Sequence, residues 1–101
     1  MKLEQLRYLR DIEQTKSLSK TGARFYVSPQ ALSKSMQQLE AEVGVPLLLR
    51  SPFGVTLTDE GKRFLDETSE FIDRYDSLRQ EFQEQQAKNE SPDCLPEIRI
   101  G

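Results

Sequence analysis

The chain has 101 residues, a formal net charge of −3, 36% hydrophobic and 31% charged residues, one cysteine and no histidine. A chain without histidine holds no Cys–His or Ser–His pair and no histidine-bearing zinc site, and Cys94 alone closes no internal disulfide. No apolar run is long enough to span a membrane and residues 1–14 alternate charges with leucines, so we expect a cytoplasmic protein with no membrane partner. No glycine-rich phosphate loop and no recognisable acid/base pair points to an enzyme, and no cofactor or metal is expected.

Residues 2–14 read as a helix with Leu3, Leu6, Leu9 and Ile12 facing inward. Residues 15–18 break it. Ser19 is placed to cap a short second helix over residues 20–26, with Ala23 and either Phe25 or Tyr26 turned inward. Gly22 in that helix costs up to ~1 kcal/mol relative to alanine and permits close helix–helix approach.

A tight turn at residues 27–28 leads into the most informative stretch. Ser28 is a preferred N-cap, Pro29 suits the first helical position, and Gly44 sits where a left-handed terminating residue is wanted. Leu32, Met36, Leu39 and Val43 form one stripe of this third helix. Gln30, Ser33, Lys34 and Gln37 form the other face, with amide, hydroxyl and ammonium groups and no acid. Such groups meet phosphates and base edges in a DNA major groove, although a merely solvated face has the same look. Two short helices joined by a tight turn make a helix-turn-helix, whose second helix enters the groove.

Residues 45–50 are a short apolar run, Ser51-Pro52-Phe53-Gly54 is turn chemistry, and Val55-Thr56-Leu57 favours a strand. Together they read as a two-stranded hairpin wing. Thr58 can cap a long helix reaching about Gln86, with Asp59 and Glu60 suiting its dipole. Phe64, Thr68, Phe71, Tyr75, Leu78 and Phe82 alternate steps of four and three, a heptad seam that calls for a second copy of the chain. Leu65 and Ile72 widen this stripe toward the head or a partner. Residues 87–96 read as a linker, and residues 97–101 alternate like the first strand of something absent. The expected architecture is mostly α. A winged helix-turn-helix spans residues 1–57, a long dimerising linker helix residues 58–87, and a hinge with the start of something absent residues 88–101.

Charge is uneven. Residues 1–57 carry 8 Lys/Arg against 5 Asp/Glu, whereas residues 58–101 carry 6 against 12. Charges beyond a Debye length of ~8 Å are largely screened at physiological salt, so a basic head can meet DNA while the acidic tail stays away.

At this point the chain resembles the LysR-type family of bacterial transcriptional regulators. The blocks that carry the resemblance are Leu3-Glu4-Gln5-Leu6, Val27-Ser28 with Ala31-Leu32-Ser33-Lys34, Leu39-Glu40, Gly44-Val45-Pro46-Leu47, Arg50, and Leu57-Thr58 with Gly61. They cover residues 3 to about 86 in the family's order and spacing. The resemblance implies a transcription factor that binds an interrupted palindrome in double-stranded DNA as a homodimer. It leaves open a tetramer for the full-length form and RNA polymerase as a further partner. By the same resemblance, residues 88–101 would be the hinge and the start of a missing effector domain, and a small-molecule inducer would act only through that domain. Carried over by position, DNA contacts would come from Ser28, Pro29, Gln30, Ser33, Lys34 and Gln37, with Arg50 and Phe53 at the wing.

The chain also departs from the family pattern. Lys34 stands where arginine is frequent, and lysine lacks the fork for bidentate guanine reading. Pro29-Gln30 inverts a frequent Gln-Pro order, which moves the amide about 100° around the helix. Thr21-Gly22 replaces a common Ala-Ala pair, and Glu60 a common alanine. Phe53 and Gly54 occupy wing positions where arginine is frequent, and Leu49 a position where an acid is common. Phe53 has three open roles: an apolar contact in the minor groove, a contact with another protein, or a ring folded back on the wing turn. Two functions remain in play, a sequence-specific regulator and an interaction module that pairs with relatives without productive DNA binding of its own.

Overall fold

The computed structural model describes residues 1–89. The elements run α1 (Leu3–Thr15), α2 (Leu18–Phe25), α3 (Pro29–Val43), β1 (Leu48–Ser51), β2 (Gly54–Leu57) and α4 (Asp59–Asn89). This is the expected mostly helical winged helix-turn-helix with a long C-terminal helix.

The core forms where three amphipathic helices and the inner face of the hairpin meet. Leu9 and Ile12 of α1, Leu32, Met36 and Leu39 of α3, Leu48 of β1, Val55 and Leu57 of β2 and Leu65 of α4 are buried in one cluster. Burying one such side chain contributes ~1.5–3 kcal/mol, so this cluster is the main source of stability for so small a head. Leu3 is only partly buried, and Gln5 takes an inward place beside Leu6. A buried amide must be bonded: Gln5 Nε2 donates to the Ser35 carbonyl at 3.2 Å, and Gln5 Oε1 accepts from Lys2 N–H at 3.0 Å.

The second helix differs from expectation at both ends. It starts two residues earlier, because Ser17 rather than Ser19 caps it, accepting from Lys20 N–H at 3.1 Å. Thr15 stabilises this start, since its hydroxyl meets that of the fully buried Thr21 at 2.8 Å. The earlier start turns Thr21 and Gly22 inward and leaves Ala23 exposed. A β-carbon on Gly22 would lie 2.5 Å from the Val27 carbonyl oxygen, so only glycine allows the turn to close this tightly. Phe25 is the aromatic that packs, edge-on to Tyr8 with ring centroids 5.0 Å apart, and Tyr26 is left outside.

The hairpin is antiparallel with Leu48 opposite Leu57 and Arg50 opposite Val55, joined through Pro52-Phe53. Residues 45–47 are not strand, because Leu47 drops into the core instead. Two contacts fasten the wing. Glu40 Oε2 accepts from Leu47 N–H at 2.8 Å and Leu48 N–H at 3.0 Å, and the Lys16 carbonyl accepts from Val55 N–H at 3.1 Å.

Thr58 caps α4, accepting from Gly61 N–H at 2.9 Å while its hydroxyl donates to the Pro46 carbonyl at 2.8 Å. The helix continues through Asn89, past the expected start of a linker, because Ala87 and Lys88 favour helix. The rest of the expected linker and the alternating residues 97–101 lie outside the described residues. Leu65 and Ile72 bury the inner side of α4. Arg7 clamps Asp76 through two bonds of 3.1 and 2.7 Å, and Arg10 holds Asp73 at 3.0 Å. The Arg7 guanidinium, by hydrogen bonding and charge, holds the Asp76 carboxyl below its usual range, and Arg7 is raised in turn.

Candidate nucleic-acid interface

The candidate interface is built on α3. Its start is set locally: Ser28 Oγ accepts from Ala31 N–H at 3.1 Å and Pro29 occupies the first turn. This leaves the positive end of the helix dipole open at the surface. Burial of Leu32, Met36 and Leu39 then dictates which side faces out. Ser28, Pro29, Gln30, Lys34 and Gln37 are exposed, and Ser33 is partly buried at the edge of the same face. Glu40, one turn beyond Gln37, does not put a free acid on this face, because its carboxylate is occupied by the Leu47 and Leu48 amides.

Arg50 reaches the face from the wing. It shares the inner side of the hairpin with Leu48, and its Nη1 donates to Ser33 Oγ at 2.9 Å. A guanidinium has five N–H donors, so others remain for an anion. Among the described residues neither Lys34 nor Arg50 lies within ion-pair distance of a carboxylate, whereas Arg7, Arg10, Arg24 and Arg63 are all paired. Two cations without an ion-pair partner thus stand together where α3 meets the adjacent strand. Phe53 stands at the hairpin tip, 98% exposed, which excludes a ring folded back on the wing turn. Leu49 is exposed on the outer side of β1.

The expected seam on α4 divides. Thr68 is buried, its hydroxyl donating to the Phe64 carbonyl at 2.7 Å, and Phe64 packs partly against the core. Phe71, Tyr75, Leu78 and Phe82 are exposed. The first two positions pack at the head, whereas Phe71 and Tyr75 face away from α1 while Ile72, Asp73 and Asp76 of the same turns meet it. Phe64 and Thr68 also line an open cleft of about 350 Å³ with Val43, Val45 and Leu47.

A second cavity, about 480 Å³, lies between α1 and α2 and includes Arg7, Arg10, Asp11 and Arg24. Each of its arginines is already paired, Arg24 Nε donating to Asp11 Oδ1 at 2.8 Å and Arg7 and Arg10 held by Asp76 and Asp73, and it includes no α3 residue. Among the described residues no cluster of histidine, cysteine or acid side chains could hold a metal, and no helix is long and apolar enough to cross a membrane.

A family model described as a bacterial regulatory helix-turn-helix protein of the lysR family matches residues 3–62. The chain belongs to the LysR family. It is 33% identical over 84 residues to the uncharacterized HTH-type transcriptional regulator YcgK of Bacillus subtilis, covering 83% of this chain and 26% of that protein. It is 33% identical over 100 residues to the HTH-type transcriptional activator IlvY of Haemophilus influenzae, covering 99% of this chain and 32% of that one. The chain therefore spans about a quarter to a third of the length of these LysR-family relatives. Its fold is similar to that of BenM_DBD in a complex with catB site 1 DNA (TM-score 0.79, 25% identity, 91% of this chain and 99% of that one). It is also similar to CbnR_DBD in a complex with DNA (TM-score 0.74, 29% identity, 88% and 100%). YcgK and IlvY are named as a transcriptional regulator and a transcriptional activator.

Within this LysR-family head, sequence reasoning missed the anchoring roles of Glu40 and Lys16, and it left open which of Phe25 and Tyr26 faces outward. The motif Leu39-Glu40 flagged Glu40 as part of a pattern, but its two amide donors come from seven and eight residues further along.

Proposed function

We propose that this protein is a sequence-specific transcriptional regulator in which α3 enters the major groove of duplex DNA. Ser28, Pro29, Gln30, Ser33, Lys34 and Gln37 meet bases and phosphates, Arg50 meets the flanking backbone, and the Phe53 wing tip makes an apolar contact beside the groove. The observation that carries this reading is an α3 face free of uncommitted acid and bearing two unpaired cations, in a chain whose fold is similar to two LysR-type domains solved with DNA.

Dimerisation is the second part of the proposal. Phe71, Tyr75, Leu78 and Phe82 leave a line of apolar side chains on a solvent-exposed helix. Covering them with the same line on a second copy stabilises both, as heptad seams do. A two-fold pair presents two α3 helices to two half-sites of an interrupted palindrome. The head then occupies residues 1–57 and the dimerising rod residues 58–87. The protein works in the cytoplasm, where its DNA is.

Selection of binding sites from random duplex DNA, with the mass of the protein measured in parallel, tests both parts. A palindrome with a fixed gap and a two-chain mass is the expected outcome. The competing reading, an interaction module acting through the same seam, is separated by Lys34→Ala. That change weakens site binding by about 1–3 kcal/mol and leaves dimerisation intact if α3 reads DNA, and changes nothing if it does not.

A further inference from the structure

Three helices of the head end on a residue with a left-handed backbone: Lys16 after α1 at φ 56°, Tyr26 after α2 at φ 61°, and Gly44 after α3 at φ 96°. Glycine adopts this conformation freely, asparagine tolerates it, and a bulky side chain opposes it. At Gly44 there is no conflict. At Lys16 the fold gains something from the unusual turn, since the Lys16 carbonyl anchors Val55 N–H at 3.1 Å and the Lys16 ammonium donates to the Glu13 carbonyl at 3.0 Å.

Tyr26 shows no such return. Its side chain is 96% exposed, and among the described residues its hydroxyl has no partner. The turn that carries it is rigid, closed by Val27 N–H on the Gly22 carbonyl at 2.9 Å with Gly22 packed beneath. A large aromatic thus occupies a position where glycine or asparagine would fold better, and it contributes nothing to the core. Backbone cost without a folding benefit is the mark of a residue kept for contact with something else. Its place narrows that contact, for Tyr26 stands two residues before Ser28, the cap of the helix whose N-terminal turn carries Pro29 and Gln30.

We propose that Tyr26 grips the DNA backbone at the rim of the groove that α3 enters, its hydroxyl donating to a phosphate oxygen and its ring lying against the neighbouring deoxyribose. The segment leading into a groove-bound helix passes the phosphate ridge, and tyrosine hydroxyls are among the groups that bond phosphates there. Tyrosine suits the role because it orders only two torsions and carries both an apolar body and a donor. This assignment rests on the DNA-binding reading of α3. It adds a positioning contact at the N-terminal end of the helix.

The test uses the full chain with Tyr26→Gly, Tyr26→Phe and Lys34→Ala. The probes are a fluorescent duplex carrying the site recovered by selection and an unrelated duplex of equal length. Tyr26→Gly is expected to melt no lower than wild type, because it relieves the turn, yet to bind both duplexes about tenfold more weakly. Tyr26→Phe should lose part of that factor, and neither variant should alter the salt slope, since no charge is removed. The proposal is overturned if Tyr26→Gly binds within twofold of wild type, if it weakens only the selected duplex, or if it melts lower. When Lys34→Ala weakens binding and Tyr26→Gly does not, only the Tyr26 assignment fails. When neither does, the DNA-binding reading of α3 has failed first.

Discussion

Arg50 Nη1 donates to Ser33 Oγ at 2.9 Å, so a strand of the wing is tied to the exposed face of α3. The bond joins two groups assigned to DNA and holds the guanidinium beside the helix before any duplex arrives. Orientation in advance reduces the entropy lost on binding. Arg50→Ala should therefore weaken binding and lower the slope of log K against log salt by ~0.9 for one lost phosphate. Ser33→Ala should leave that slope unchanged while still reducing affinity. Fluorescence anisotropy across a salt series reads both.

At the wing tip, Phe53→Arg places a cation where the ring now stands free. If the tip lies along the backbone, the salt slope steepens by ~0.9. An unaltered slope puts the tip off the DNA and turns attention to a protein contact with Phe53 and Leu49.

On the rod, Tyr75→Asp and Leu78→Asp each set a carboxylate into the proposed seam. Sedimentation at micromolar concentration should change from two-chain to single-chain particles, and binding to the palindrome should fall to that of one half-site. Helix content should stay close to wild type, because both positions are already exposed in the single chain.

Glu40 is a structural anchor on the back of the interface. Glu40→Ala strips the acceptor from the Leu47 and Leu48 amides, which lie at the edge of the core. Leaving them unmet costs about 2–3 kcal/mol, measurable by urea denaturation. Glu40→Gln keeps one acceptor oxygen and should cost less.

The Arg7–Asp76 clamp gives stability a pH dependence. Arg7 stays charged throughout, and Asp76 titrates below its ordinary 3.8 in the folded protein. The carboxylate's contribution is complete above the unfolded value and disappears as pH falls through the lower folded one. The urea midpoint of Asp76→Asn should accordingly sit below that of wild type at neutral pH and approach it as pH falls below the ordinary carboxylate value of 3.8.

Much of the fold was legible because its signals are local. Ser28 and Pro29 set the start of α3, Gly44 its end, and Thr58 the start of α4, each through groups within four residues. The inward stripe Leu32, Met36 and Leu39 follows from helical period alone, and it presents Gln30, Lys34 and Gln37 outward without reference to any other element. The second helix was less legible. Ser17 and Ser19 are equivalent as caps in isolation, and the Thr15 hydroxyl, bonded to the Ser17 backbone and to Thr21, favours the earlier one.

The sequence by itself determined the order of elements, the family and the polar composition of the α3 face, because capping and periodicity depend on neighbours along the chain. The tertiary structure alone decided that Glu40 serves the wing, that Arg50 rests on Ser33, that Tyr26 stands outside, and that the α4 seam is divided at Thr68. Those outcomes depend on which surfaces of different elements reach one another. Packing geometry governs that choice, and no local propensity encodes it.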